Sequence, residues 1–269
     1  MDNGHPPFRN ETRALGPHRI SARVAGEGPA LVLCHSLLAD DSSFDRIAGI
    51  LSQTHRVILL SLPGFGGSSP TQGGLDAVAD RVAQGLQAFG DHPSTILGNG
   101  YGGFVALLAT LRHPGLASRL VLADCGACFN DNGRAAFRNM SAAARAHGLE
   151  GIADVAMRRL FSAEFQATHP ELVAERRQRF LAVNPATFHQ ACEALATLDL
   201  RDRLKELHVP VLVLVGEEDE ATPPAMSREL ASGLPDARLV VLPGCAHVPQ
   251  LQAPEQFLAA LRPFLADPA

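Results

Sequence analysis

The stretch of residues 98–103 reads GNGYGG and lies between the apolar run "STIL" and the helical pattern "FVALLATLRHP". A strand, a sharp turn and a helix in this order form the frame in which a G-x-S-x-G turn exposes a nucleophilic serine. Here the central residue is Gly100, which has no side chain. The frame predicts chemistry at this turn, but the group that usually performs the attack is missing.

An acid and a base follow two later apolar runs. "VLVLVGEED" ends with Asp219, and "LVVLPGCAH" ends with His247. A carboxylate that accepts from one imidazole nitrogen fixes the tautomer and leaves the other nitrogen free to move protons. We therefore expect Asp219 and His247 to lie within hydrogen-bond reach, with His247 facing Gly100. Spacing from the strand and the following "ATPP" favour Asp219 over three competing acids: Glu217, Glu218 and Asp124.

The elements that must position these residues alternate along the chain. "PALVLCHS" and "HRVILLSLPG" are continuous apolar runs, typical of strands buried on both faces, and "LDAVADRVAQGLQAFG" has amphipathic helical spacing. Regular alternation of this kind predicts an α/β fold with a mostly parallel sheet flanked by helices. Ligands of such sheets bind outside the carboxyl ends of the strands, which is where Gly100, Asp219 and His247 occur.

One interval breaks this alternation. Residues 126–206 are rich in Ala, Arg and Glu, contain helical patches and include no convincing strand. We expect a helical cap inserted into an α/β core made of residues 1–125 and 207–269. Phe129 and Arg158 are its candidate substrate-binding residues, although Arg158 also fits a solvated helix face.

Five motifs occur in a recognisable order: "LVLCHSLLADDSSFD", "LSLPGFGGSS", "LGNGYGG", "GEEDEATPP" and "PGCAHVPQLQAPEQF". Over nearly all of the chain outside the cap they resemble the α/β-hydrolase superfamily. Within it the chain is most similar to β-ketoadipate enol-lactone hydrolases, with the nucleophile serine replaced by Gly100. The residues "GN" at positions 98 and 99, just before Gly100, also resemble the residues at this turn in hydrolases of carbon–carbon bonds.

The resemblance implies an α/β-hydrolase fold, Asp219 as acid, His247 as base, and an oxyanion hole formed by the backbone N–H groups of Leu37 and Tyr101. It implies a small activated carbonyl substrate: an enol-lactone, an ester or a compound cleaved at a carbon–carbon bond. Ser36 is expected to support the oxyanion loop and contact this substrate.

Four explanations of Gly100 stay open. His247 activates water directly, as the resemblance to the serine-free aminoacrylate hydrolase of pyrimidine breakdown suggests; the chain is an inactivated serine hydrolase; it is a non-catalytic binding protein; or Ser36 or Cys125 replaces the nucleophile. Glycine should relax the strained turn. The missing side chain should leave room for about one water, roughly 30 Å³, beside His247.

The amino-acid composition limits which other classes of protein the chain could belong to. With 269 residues, of which 46% are apolar, the chain can form one sizeable core. A net charge of -5 does not favour binding to nucleic acid or to an anionic membrane, so the expected partner is a small molecule. Five scattered cysteines, and the lack of a signal segment or apolar span, suggest free thiols and a cytoplasmic location. No motif predicts a cofactor or a metal.

Overall fold

The structure is a computed structural model, which describes residues 6–90 and 92–266. Eight strands form one sheet: β1 Arg9–Leu15, β2 His18–Ala25, β3 Ala30–Cys34, β4 Arg56–Ser61, β5 Ser94–Asn99, β6 Ala117–Ala123, β7 Val211–Gly216 and β8 Ala237–Leu242. Their spatial order is β1-β2-β4-β3-β5-β6-β7-β8. Pairs β1·β2 and β2·β4 are antiparallel, and all later pairs are parallel. The predicted α/β fold with a mostly parallel sheet is confirmed.

The central strands are apolar throughout because both faces of the sheet are covered. In β3, Val32 and Cys34 pack into one apolar cluster, whereas Leu31 and Leu33 pack into a second. Successive side chains of a strand point to opposite faces, so a strand between two helical layers must be apolar at every position.

Eleven α-helices lie in the described residues: α1 Asp45–Leu51, α2 Gly74–Phe89, α3 Tyr101–Arg112, α4 Asp131–His147, α5 Ala153–Leu160, α6 Ala163–Thr168, α7 Pro170–Leu181, α8 Pro185–Thr197, α9 Pro224–Gly233, α10 Pro249–Gln252 and α11 Pro254–Ala266. Helices α2 and α3 pack on the first face of the sheet, while α1 and α11 cover the second. None of these helices is long and apolar enough to cross a membrane.

Residues 126–206, called the helical segment below, contain α4 to α8 and no strand of the sheet. The segment begins after β6 and ends before β7, two strands that pair directly. Its two ends meet: Cys128 and Asp199 form an isolated antiparallel bridge, and the N–H of Leu200 donates to the carbonyl of Ala127 at 2.9 Å. The chain therefore leaves the sheet and returns to it at nearly the same place.

Two local features differ from what the pattern suggests. Strand β1 was not anticipated, because as an edge strand it is largely exposed and has little apolar alternation. The helical patch "ATFHQACEALATLDLRDRLKEL" is divided: α8 ends at Thr197, Leu198 is extended, and a short 3-10 helix covers Arg201–Glu206.

Candidate active site

The turn after β5 has the geometry of a nucleophile elbow although it lacks the serine. Gly100 has φ 54° and ψ -120°, and α3 begins at the next residue. A Cβ on Gly98 would lie 2.3 Å from the carbonyl oxygen of Gly102, and one on Gly102 would lie 2.2 Å from that of Cys34. The strand can turn this sharply into the helix because neither flanking glycine has a side chain.

Asp219 and His247 lie together in the loops after β7 and β8. The Oδ2 atom of Asp219 is 2.9 Å from Nδ1 of His247, so the contact expected from the sequence is present. Asp219 also accepts from the backbone N–H groups of Ala221 and Thr222 at 2.8 and 3.0 Å. The hydroxyl of Thr222 donates to Oδ2 at 2.6 Å. These bonds hold the carboxylate in a single orientation.

The protonation pattern of this pair follows from its hydrogen bonds. Because an ionised carboxylate only accepts, Nδ1 of His247 carries a hydrogen and Nε2 is left as an acceptor. Burial by itself would raise the pKa of Asp219, but the positive charge that His247 carries when it is protonated, and the hydrogen bonds from His247 and Thr222, hold that pKa below its ordinary value. The pair therefore presents a proton acceptor next to Gly100.

The loop after β3 is fixed by a buried imidazole. The backbone N–H of Leu62 donates to Nε2 of His35 at 3.2 Å, so Nδ1 carries the hydrogen and donates to the carbonyl of Ser36 at 2.9 Å. The N–H of Gly102 donates to the carbonyl of His35 at 3.1 Å. Burial lowers the pKa of His35, which keeps the ring neutral in this role. The loop is thereby attached to the start of α3.

Asn99, the last residue of β5, links this strand to the loop that carries His247. Its Nδ2 atom donates to the backbone carbonyl of His247 at 2.9 Å and to Oδ2 of Asp124 at 3.1 Å. Its Oδ1 atom accepts from Nε2 of Gln250 at 3.1 Å. The sequence shows the "GN" residues before Gly100, but the hydrogen bonds of Asn99 could not be inferred from them.

Asp124, one of the competing acids, has a different environment from Asp219. It is fully buried at the end of β6 with φ 51°, and it accepts from the N–H of Gly216 at 2.8 Å. Burial, and then the negative charge of Asp219, raise the pKa of Asp124 well above its ordinary value. Asp219, and not Asp124, makes the hydrogen bond to the ring of His247.

A cavity of about 30 Å³ opens at this edge of the sheet. From the loops after the strands it is lined by Ser36, Leu37, Leu38, Gly100, Tyr101, Ala221, Thr222 and His247. From the helical segment it is lined by Phe129, Phe137, Met140, Arg159 and Leu195. In the described part of the chain, no group of three or more His, Cys, Asp or Glu side chains is placed to hold a metal ion.

The two predicted oxyanion donors both border this cavity. The N–H groups of Leu37 and Tyr101 have no hydrogen-bond acceptor among residues 6–90 and 92–266. Tyr101 is the first residue of α3, where a backbone N–H has no partner within the helix. Both groups are therefore free to donate to an oxygen in the cavity.

The position that a side chain on residue 100 would take is filled by neighbouring side chains. A Cβ on Gly100 would lie 2.6 Å from Nε2 of His247 and 2.7 Å from Oγ of Ser36. These two side chains approach the glycine because no side chain of its own keeps them away. The free volume lies next to Gly100 and His247, in the cavity of about 30 Å³, which is the size of the water-sized space expected beside His247.

Only two of the three candidate substrate-binding residues line the cavity. Ser36 and Phe129 line the cavity, but Arg158 does not; it borders a different surface pocket with Glu217 and Glu218. Its neighbour Arg159 is the arginine at the cavity. Adjacent residues of a helix point about 100° apart, and the sequence contains no signal that distinguishes the two.

Arg159 is held over the cavity by weak contacts. Its guanidinium lies 6.0 Å from the ring centre of Phe137, and one nitrogen is 3.4 Å from the carbonyl oxygen of Ala221. Burial lowers the pKa of Arg159, although the charge of Asp219 acts against this. A half-buried cation with so few polar contacts is suited to an anionic group on a ligand.

Comparison with known proteins identifies the class. The family model of the alpha/beta hydrolase fold matches residues 29–254. The chain therefore belongs to the α/β-hydrolase fold family, as the five motifs suggested.

Three similar proteins illustrate this membership. A pimeloyl-[acyl-carrier protein] methyl ester esterase of Nitrosomonas europaea is 29% identical over 253 residues, covering 89% of this chain and 97% of that protein. The enol-lactonase of Burkholderia xenovorans is 25% identical with a TM-score of 0.89, covering 96% of this chain and all of the other. A thermophilic esterase of Thermogutta terrifontis is 27% identical with a TM-score of 0.85, covering 96% of this chain and 98% of the other. The similarity to enol-lactone hydrolases inferred from the motifs is confirmed.

Proposed function

We propose that this protein hydrolyses a small ester or lactone whose carbonyl is already activated. His247 acts as the general base, Asp219 orients it, and the N–H groups of Leu37 and Tyr101 stabilise the oxyanion. The observation that carries the proposal is the 2.9 Å bond between Asp219 and His247, which leaves Nε2 as a proton acceptor at the cavity.

The substrate class is supported by the relatives and by Gly100. The similar proteins include a methyl ester esterase and an enol-lactonase, both of which act on carbonyl–oxygen bonds. Without an elbow serine, the remaining groups of a triad site give only about 10³–10⁴-fold acceleration over water. Such acceleration suffices for an enol-lactone, whose enolate leaves easily, even when no side chain attacks the carbonyl.

We infer that the helical segment serves as a cap over this site. Five of its side chains line the cavity, opposite His247 and Gly100. The cavity of about 30 Å³ is far smaller than the roughly 300–1,000 Å³ of usual ligand pockets. A substrate therefore enters when side chains of the segment move aside.

The test is turnover of a panel of enol-lactones and matched saturated lactones and alkyl esters. We expect hydrolysis of the enol-lactones, and loss of it in His247→Gln, because that variant lacks the proton acceptor. The control is His189→Gln, whose ring bonds to the hydroxyl of Ser141 in the helical segment and does not border the cavity. Absence of turnover with tight binding of a lactone would favour a non-catalytic binding protein and refute the proposal.

An inactivated serine hydrolase is the competing function, and Gly100→Ser separates it from ours. If the chain is a disabled enzyme, the variant gains strong esterase activity and becomes labelled at residue 100 by a serine-directed phosphonate. We expect lower activity instead, because the new Cβ must displace the ring of His247, whose other nitrogen is held by Asp219.

A further inference from the structure

Ser36 makes a contact that neither the fold nor the elbow motif requires. Its Oγ atom lies 3.3 Å from Nε2 of His247, and both residues are buried. Because Nδ1 of this ring carries its hydrogen toward Asp219, Nε2 accepts and the hydroxyl of Ser36 donates. The three side chains form a continuous serine–histidine–aspartate chain of hydrogen bonds.

The position of this hydroxyl follows from the sheet. Strands β3 and β5 pair in parallel with Cys34 opposite Gly98. Ser36 and Gly100 therefore stand at the same level, each two residues past a paired position. A Cβ on Gly100 would lie only 2.7 Å from Oγ of Ser36. The hydroxyl thus occupies the space into which a side chain on the elbow would project, but it comes from the neighbouring strand.

The surroundings of Ser36 are those that a nucleophile needs. Ser36 borders the cavity together with both proposed oxyanion donors, Leu37 and Tyr101. Its own carbonyl is fixed by Nδ1 of His35 at 2.9 Å, which restrains the backbone that carries the hydroxyl.

Cys125, the other candidate nucleophile, has no such setting. It is fully buried, it does not border the cavity, and burial raises the pKa of its thiol. A neutral thiol away from the site is a poor nucleophile, because the thiolate is the reactive form.

We propose that Ser36 is the nucleophile of this protein and forms the acyl-enzyme that the elbow cannot form, an inference that rests on the proposed ester or lactone hydrolysis. The proton of Oγ passes to Nε2 of His247 as Oγ bonds to the carbonyl carbon, whose oxygen becomes the oxyanion. The oxyanion collapses, the carbon–oxygen bond to the leaving group breaks, and His247 returns the proton to that group. Water then attacks the acyl carbon, gives its proton to His247, and releases the acid from Ser36, which regains its hydrogen.

The experiment is covalent labelling of the full chain with a small dialkyl fluorophosphate, followed by mass spectrometry of its peptides. We expect loss of fluoride and one dialkylphosphoryl group on Ser36, and no label in His247→Gln. We also expect Ser36→Ala to lose at least roughly 10³-fold in kcat, as for removal of other triad nucleophiles. The control is Ser43→Ala, which removes a buried hydroxyl with no hydrogen-bond partner in the described structure and away from the cavity.

Labelling separates this inference from the proposed function. An unlabelled Ser36 overturns the inference whether or not the protein turns over a lactone. Turnover by Ser36→Ala within about twofold of Ser43→Ala also overturns it, and would mean that water attacks directly. A labelled Ser36 in a protein that hydrolyses no ester or lactone would support the nucleophile and refute the proposed substrate class.

Discussion

At the scale of single residues, His247 is fixed through three different atoms. Asp219 holds Nδ1, Ser36 donates to Nε2, and Asn99 donates to the backbone carbonyl. Rotation of the ring would break the first two contacts together, so the ring of His247 is held in place before any substrate arrives. Such preorganisation is what a general base requires.

Arg159 predicts a preference for substrates with a carboxylate. Hydrogen bonds to charged groups contribute about 1.5–3 kcal/mol, so Arg159→Leu should raise KM for a carboxylate-bearing lactone on the order of tenfold. Arg158→Leu is the matched control, since Arg158 lies outside the cavity. Equal effects of Arg159→Leu on this lactone and on its neutral methyl ester would contradict the prediction.

Asp124 predicts a pH dependence of stability. Its raised pKa means that the folded state keeps a proton that the unfolded chain releases above about pH 4. The free energy of unfolding therefore loses this contribution as the pH rises from there toward the folded pKa. Asp219 acts in the opposite sense: its lowered pKa adds stability that is lost as the pH falls through the acid range.

We expect Asp124→Asn to reduce the decline of the free energy of unfolding as the pH rises above about 4, because the variant has no proton to release. Urea unfolding at several pH values measures this slope. Asp202→Asn, at an exposed carboxyl, should leave the slope unchanged. A slope for Asp124→Asn equal to that of the unchanged protein would show that Asp124 is ionised in the folded state.

At the scale of elements, the helical segment is tied to the loop that follows β3. Arg176 of α7 is buried; it donates to Oγ of Ser42 at 2.9 Å and lies 3.8 Å from a carboxylate oxygen of Asp40. Arg179 of the same helix reaches Asp40 at 3.1 Å. The loop that holds Ser36 is therefore braced from outside the sheet.

Arg176→Ala should lower the free energy of unfolding by about 1–3 kcal/mol, because it removes a buried hydrogen bond from a charged donor to the hydroxyl of Ser42. Its neighbour Arg177 pairs with Glu150 on the exposed side of the helix, so Arg177→Ala should have no measurable effect. Denaturant unfolding of the two variants tests this difference. Equal losses would mean that the buried contact does not anchor the segment.

At the scale of the whole molecule, the site exists only between two parts of the chain. The sheet edge supplies the proposed base and the two proposed oxyanion donors, while the helical segment supplies four of the large apolar side chains around the cavity. We therefore expect the packing of the segment to limit the size of the substrate.

Met140→Ala should widen the cavity and raise kcat/KM for lactones with a longer acyl chain relative to short ones. Met157→Ala is the matched control, since Met157 is equally buried in the segment but does not border the cavity. Both should lose about 2–5 kcal/mol of stability. A shift in selectivity in both variants would show that loosening of the segment, and not cavity size, controls access.

Much of the fold could be predicted from the sequence, because local residue patterns determine the strands and helices. The apolar runs predicted strands β3, β4, β5, β7 and β8, and the five motifs placed Asp219 and His247 after the correct strands. These features depend on which residue types follow one another, since burial on both faces demands continuous apolar runs. Strand β1 could not be predicted in this way, because an exposed edge strand does not need a continuous apolar run.

The remaining features were decided by tertiary structure. Which arginine reaches the cavity depends on how α5 is rotated against the sheet, and adjacent positions of one helix carry the same residue type here. That the hydroxyl of Ser36 meets His247 depends on the parallel register of β3 and β5 and on the orientation of a ring 211 residues away in the chain. Contacts between residues so distant in sequence leave no local pattern, because they are fixed only when the strands, loops and helices pack together.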